Sequence, residues 1–211
     1  MKIIKPSFII EDKISGKEIL KNIERYGRTC YKSESKISYN SAKKFVARII
    51  KMGHESVIEH EKITVRVICD RGVTHEIVRH RIASYSQEST RYCNYKEKGI
   101  KVIKPLFFKG KQYKIWEKSM KDSEKAYNDL IKTGATPQEA RSVLPNSLKT
   151  EIVITYNLRE WRHFFKLRCS LAAHPQIREI AIPLLKEFQK KIPIIFDDFL
   201  INEQRNCAII K

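Results

Sequence analysis

The sequence predicts an α+β domain with more helices than strands. Apolar residues recur at helical spacing or behind helix-start signals in seven segments, while strand character is confined to three. The two kinds follow one another in mixed order rather than in strict alternation, the pattern of an α+β domain. With no repeat, low-complexity tract or Gly/Ser linker in between, residues 1–211 are expected to form a single domain, a mixed or antiparallel sheet flanked by helices.

Residues 2–10 are apolar with β-branched character and read as a strand. Ile19, Leu20, Ile23 and Tyr26 space out one helix over 16–28, and Phe45, Val46, Ile49 and Ile50 a second over 41–51. Residues 62–69 alternate, with Ile63, Val65 and Val67 on one face, the pattern of a half-buried strand. Asp70 is placed to cap a helix over about 71–82. Ser84 to Tyr95 is polar and unperiodic, so it is expected to be a loop.

Trp116, Met120, Tyr127, Leu130 and Ile131 mark a long helix over 111–132. Thr136-Pro137-Gln138-Glu139 is a capping box with proline at the first helical position. That helix should stop near Leu144, because Pro145 disfavours helical backbone before it. Residues 150–156 read as a strand, and Asn157 caps a helix running to about Arg168. Pro175 opens a last helix with an apolar stripe through Ile177, Ile180, Leu184 and Phe188, ended by Pro193.

Composition removes several functions. No run approaches the roughly 18 apolar residues of a membrane helix, and the N-terminus lacks a signal-peptide pattern, so a cytoplasmic protein is expected. The five cysteines are far apart with no C-x-x-C, which argues against a disulfide framework or a cysteine-based zinc site. The seven glycines are scattered singly, so neither glycine-rich nucleotide loop is present. In His75-Glu76-Ile77-Val78-Arg79-His80 the second histidine sits at i+5, off the face that a zincin helix needs, and no metal is assigned.

The net charge of +18 would suit a nucleic acid or an anionic small molecule, or simply a solvated lysine surface. Which cation is used, and where, is more informative. Lysine outnumbers arginine 28 to 14, yet residues 63–95 contain five arginines and no lysine. Residues 150–185 contain four arginines and only Lys166. Guanidinium offers a rigid donor fork for phosphate and carboxylate and stacks on flat rings, which ammonium does less well. Buried salt bridges also favour arginine. The densest cluster runs from Arg79-His80-Arg81 through Ser84, Gln87, Glu88 and Ser89 to Arg91 and Tyr92. A helix C-terminus explains the first three residues by the helix dipole, but not the hydroxyl- and amide-rich stretch that follows.

Arg79-His80-Arg81 followed at fixed spacing by Ser84, Ser89 and Arg91 resembles the signature of the flavin-dependent thymidylate synthases. Gly53-His54-Glu55-Ser56-Val57-Ile58-Glu59-His60 resembles that family's Gly-His-x-Ser-x-x-Glu-His segment. Ala140-Arg141-Ser142-Val143-Leu144-Pro145, Asn157-Leu158-Arg159 and Leu167-Arg168 are similar to later elements, so the resemblance covers nearly the whole chain in order. Glu76 stands where many members carry Gln, and Ala173-His174-Pro175-Gln176 where many carry Ala-Gln-Trp-Glu.

The resemblance implies methylation of dUMP to dTMP, with 5,10-methylenetetrahydrofolate as carbon donor and FAD, reduced by NADPH, as hydride source. It implies a homotetramer with active sites shared between subunits, and no nucleic-acid or membrane partner. Flavin contacts carried over are Ser56, Arg79, His80, Arg81, Gln87, Asn157, Arg159 and His163. Nucleotide contacts are Glu76, Arg79, Gln87, Glu88, Ser89, Arg91, Arg141 and Arg168, with backbone at Ile77, Val78 and Thr90. Arg168 is the expected catalytic group, stabilising negative charge at pyrimidine N3/O2. His54 is a second candidate, near flavin and folate.

The plainer readings are that His54 and His60 are cap or core histidines, and that His163 is a half-buried imidazole between Trp161 and Phe164. Tyr85, Tyr92 and Tyr95 serve equally well as packing residues. Two alternatives for the whole chain stay open: a basic nucleic-acid-binding module, and a nucleotide- and flavin-binding homologue without activity. Against the first, the lysines are spread along the chain and the arginine-rich windows carry acids.

Overall fold

The computed structural model describes residues 1–211. The chain runs β1 (Lys2–Ile4), β2 (Ser7–Ile10), α1 (Gly16–Thr29), α2 (Ser41–Lys51), β3 (Lys62–Asp70), α3 (Arg71–Ile77), β4 (Ala83–Gln87) and β5 (Lys101–Ile103). It continues through α4 (Gly110–Lys132), α5 (Pro137–Ala140), β6 (Lys149–Asn157), α6 (Leu158–Arg168), α7 (Pro175–Lys191), β7 (Phe199–Asn202) and β8 (Cys207–Ile210). Short 3-10 turns occupy Glu34–Lys36, Glu55–His60 and Arg141–Val143. The main sheet has the order β2-β3-β6-β4. β1 pairs in parallel with β5, and β7 pairs antiparallel with β8, so the expected mixed α/β architecture is present. No helix is long and apolar enough to cross a membrane.

Two compact units emerge, each assembled from separated stretches of chain. The first comprises residues 1–8, 66–79 and 85–153. Its apolar cluster is Ile100, Val102, Trp116, Met120 and Leu148, with Met1, Ile3, Tyr113 and Leu144 packed around it. Trp116 satisfies its ring N–H on Ser147 Oγ at 3.1 Å, so a bulky ring is buried without stranding a donor. Asp70 caps α3 as expected, accepting the Val73 N–H at 2.7 Å.

The second unit comprises residues 9–65, 80–84 and 154–211. Its core is aromatic: Trp161, Phe164, Phe165, Phe188 and Phe196 are all buried. Most of their ring pairs meet edge-on, the arrangement favoured by the ring quadrupole. α1 packs against α2 where Gly27 leaves room for Phe45; a Cβ there would come within 2.6 Å of the phenyl ring.

Several expectations need correction. Residues 2–10 form two strands rather than one, because Pro6 brings no N–H to a ladder. The helix begun at Arg71 ends at Ile77 rather than near residue 82, and Tyr85 Oη donates to the Ile77 carbonyl at 2.9 Å. The segment from Ser84 does not stay a loop: residues 83–87 form β4, with Ala83, Tyr85 and Gln87 half-buried and Ser84 and Ser86 exposed. The C-terminal hairpin β7–β8, in register from Phe199↔Ile210 to Asn202↔Cys207, was not foreseen. The helix opened at Pro137 ends at Ala140 and passes into the 3-10 turn Arg141–Val143 instead of running as α-helix to near Leu144, and β5 was likewise not foreseen. The other helices and strands lie where the periodicity puts them, within a residue or two at their ends.

Candidate functional site

The two units divide the expected site residues by ligand. All expected nucleotide contacts except Arg168 lie in the first unit, and all expected flavin contacts except Arg79 and Gln87 lie in the second, together with His54 and Arg168.

In the first unit, the end of β4 and the turn after it carry Gln87, Glu88, Ser89, Thr90 and Arg91 of the expected nucleotide contacts. Gln87 is anchored by its amide nitrogen to Thr74 Oγ1 at 3.2 Å and Thr150 Oγ1 at 3.3 Å, which ties β4 to α3 and β6. Glu88 accepts from Tyr95 Oη at 2.9 Å and from Lys149 Nζ at 2.9 Å, so both carboxylate oxygens are engaged. Lys149 also reaches Glu151 at 2.5 Å. Burial works to lower the Lys149 ammonium, but its bonds to Glu151 and Glu88 outweigh it and hold the group charged. Burial, then Glu88, pushes the Tyr95 phenol far up, so it stays a donor. Ser89 Oγ accepts the Arg91 N–H at 3.2 Å in a tight turn with Thr90 buried beneath it. Arg91 Nε donates to Gln138 Oε1 at 3.1 Å, which draws it toward the segment that presents Arg141. Arg79, Arg91 and Arg141 are all exposed, Glu76 is half-buried, Ile77 is buried and Val78 exposed.

In the second unit, His80 is buried while Arg81 beside it is exposed. His80 Nδ1 lies 2.6 Å from Glu160 Oε1, and Arg168 Nε donates to His80 Nε2 at 3.2 Å. The imidazole also touches the rings of Tyr156, His163 and Phe164. Burial first, then the positive charge of Arg168 and the neighbouring His163, lowers its pKa to about 4. Burial raises the Glu160 carboxyl, against the pull of His163 and Arg159.

Ligand atoms of His80, Glu160 and His163 lie within 4.8 Å of one another. Both nitrogens of His80 already face protein partners, Glu160 and Arg168, so neither lone-pair position of this ring is open to a further ligand. Asn157 is the α6 N-cap, its Oδ1 accepting the Glu160 N–H at 2.8 Å. Arg159 is exposed and paired with Glu59 at 2.5 Å, and His163 is exposed.

His54 and Ser56 flank Glu55 at the start of a 3-10 turn, and both are exposed. Glu55 is gripped by Arg162 Nε at 2.8 Å, and Arg162 also donates to Asp198 and to the Ile195 carbonyl. Beside this turn lies a groove of about 1200 Å³, lined by His54, Ser56 and Arg159 together with Lys44, Arg48 and Phe45. Its volume exceeds that of an ordinary drug-sized pocket, and its donors and cations suit a large anionic ligand such as a flavin dinucleotide.

Sequence reasoning did not single out Glu160 or Lys149, and it assigned no site role to Arg162 or Tyr95. One signal was available: Glu160 stands three residues after the cap Asn157, the position from which a helix-start carboxylate is held near the N-terminus.

Residues 14–194 match the family described as thymidylate synthase complementing protein. A flavin-dependent thymidylate synthase of Pyrococcus furiosus is 39% identical over 174 residues, covering 80% of this chain and 71% of the relative. One of Geobacter sulfurreducens is 37% identical over 180 residues, covering 81% and 78%. Among solved structures, the UMP/dUMP methylase PolB from Streptomyces cacaoi, bound with 5-Br dUMP, superposes with a TM-score of 0.78 at 22% identity. That match covers 93% of this chain and 96% of the other, and it establishes a shared fold.

Proposed function

The chain belongs to the flavin-dependent thymidylate synthase family, and from that membership we propose that it converts dUMP to dTMP in the cytoplasm as a homotetramer with active sites shared between subunits. The carbon donor is 5,10-methylenetetrahydrofolate, and the resident flavin is FAD, reduced by NADPH. The flavin supplies the hydride; the chain's own residues bind, orient and polarise.

In the first unit, Arg91 and Arg141 are the phosphate-binding cations, Arg91 steadied by Gln138. Gln87 and Ser89 present amide and hydroxyl groups to the nucleotide, and Glu88 with Lys149 and Tyr95 braces the turn that carries them. In the second unit, Ser56, Arg81, Asn157, Arg159 and His163 hold the flavin, and the groove beside His54 fits its size and charge. His80, also expected there, is buried with both ring nitrogens engaged by Glu160 and Arg168 and contributes through them. Arg168 stabilises negative charge on the pyrimidine, which raises electron density at C5. No nucleophilic side chain is required: Ser89 Oγ accepts a backbone N–H, and the carboxylate beside it in sequence, Glu88, is engaged by Tyr95 and Lys149.

The observation that carries this reading is the placement of Arg168. Its guanidinium is hydrogen-bonded to the histidine of the Arg79-His80-Arg81 segment, which supports a shared role for the two sequence elements. The test is tritium release from 5-tritiated dUMP in the presence of FAD, NADPH and methylenetetrahydrofolate. Release at the rate of dTMP formation is expected. A protein that binds dUMP and flavin without release is an inactive homologue, and one that binds neither overturns the reading.

A further inference from the structure

We propose that Glu160 is a positioning residue: it sets the tautomer of His80 and, through it, the plane of the Arg168 guanidinium.

The case follows from which atoms can donate. Arg168 is permanently charged and its Nε–H can only donate, so His80 Nε2, 3.2 Å away, must offer a lone pair. A neutral imidazole with an accepting Nε2 carries its proton on Nδ1. That Nδ1–H points at Glu160 Oε1, 2.6 Å away, which accepts it. Each partner therefore permits one proton position only, and the two choices agree.

The chain is also fixed mechanically. The His80 side chain is 1% exposed and that of Glu160 10%, so water does not compete for either. Glu160 is held at the first turn of α6 by the Asn157 cap, and Arg168 is the last residue of the same helix. A rigid element thus carries both ends of the relay, and His80 bridges them. Isolated histidine favours the Nε2–H tautomer. Without the carboxylate, His80 would revert toward it and turn a donor against the Arg168 donor.

The consequence for turnover rests on the function proposed above; the tautomer does not. The experiment uses the full chain, as wild type, Glu160→Gln and Glu160→Leu. Imidazole nitrogen shifts in 15N-labelled protein without ligands report the tautomer, and the hydrogen-exchange rate of the Arg168 Nε–H reports its bond. Wild type and Glu160→Gln, whose amide oxygen still accepts, are expected to show the Nδ1–H form, a protected Arg168 Nε–H and tritium release within a few-fold of each other. Glu160→Leu should shift His80 toward Nε2–H and expose the Arg168 Nε–H. It should slow tritium release roughly 10- to 100-fold, the usual cost of losing a carboxylate that orients a functional histidine, at unchanged flavin content.

An Nε2–H tautomer in the wild type overturns the proposal whether or not Glu160→Leu folds. So does a Glu160→Leu protein that keeps the Nδ1–H form. Wild-type turnover in Glu160→Leu overturns the link to Arg168. A wild type that releases no tritium but shows the tautomer dependence defeats the proposed reaction and leaves the positioning role standing.

Discussion

Arg162 and Asp198 form a two-pronged ion pair, Nη1 to Oδ1 at 2.8 Å and Nη2 to Oδ2 at 2.6 Å, while the remaining Nε of Arg162 holds Glu55 at 2.8 Å. The arginine side chain is 7% exposed, and its two carboxylate partners are 26% and 28% exposed. Replacing Arg162 with Met is expected to cost about 3 kcal/mol, the lower end for stranding buried charge because both carboxylates keep some water. Arg162→Lys should not restore it, since one ammonium cannot span three directions in a planar fork. Denaturant unfolding measures the loss. Flavin uptake should weaken in parallel, because Glu55 sits between His54 and Ser56.

Arg168→Ala is expected to fold normally, since the residue is half-buried at a helix end, and to lose turnover about 100- to 1,000-fold. Arg168→Lys should fare little better, having neither the Nε–H that meets His80 nor the fork. Turnover by tritium release, set beside the thermal midpoint, separates chemistry from folding. Normal turnover in the alanine variant would remove Arg168 from the mechanism.

His80 should remain neutral until the pH nears 4. An unfolded histidine titrates near 6.5. Because the native value is the lower one, the unfolded chain alone binds this proton between about pH 6.5 and about pH 4. The stability tied to neutral His80 is complete above that window and is lost as pH falls through it. Glu160, raised by burial, acts in the opposite sense, its carboxyl taking a proton in the native state first as the solution is acidified. A ring-proton NMR titration checks the histidine directly: a midpoint near 6.5 would contradict its burial beside Arg168 and His163.

Lys149→Met should leave Glu88 and Glu151 facing each other without their shared cation, at a cost of about 1–3 kcal/mol. The KM for dUMP should rise more than kcat falls, because the turn from Glu88 to Arg91 is loosened rather than the reacting groups. A kcat loss at constant KM would place Lys149 elsewhere in the mechanism.

The candidate site was legible wherever the expected chemistry calls for a particular residue type. Arg79, Arg81, Arg91 and Arg168 stood out because this chain otherwise prefers lysine, and Arg141 through the resemblance of residues 140–145 to a family element. Glu160, and the burial of Arg162, were hidden for the opposite reason. On a helix whose neighbours are Trp161, Phe164 and Phe165, a charged residue looks like solvent-facing filler, and only the partners brought from Glu55, His80 and Asp198 reveal it as buried. Similarly, β4 was read as a loop because its inward residues are Tyr85 and Gln87 rather than aliphatics, so its two-residue alternation is one of size, not of hydrophobicity. The end of α3 depended on a hydroxyl from Tyr85, eight residues on, which no local propensity encodes.

The order β2-β3-β6-β4 sets a timetable for the ribosome. β4 has one neighbour in its sheet, β6, and residues 83–87 leave the exit tunnel long before residues 149–157 are made. Until then β3 has only β2 beside it and β4 has no ladder at all. A stalled or truncated chain ending before Lys149 would therefore display bare strand edges, the feature that recruits other chains into aggregates. Pairing of β4 must wait until residues 149–157 have been made.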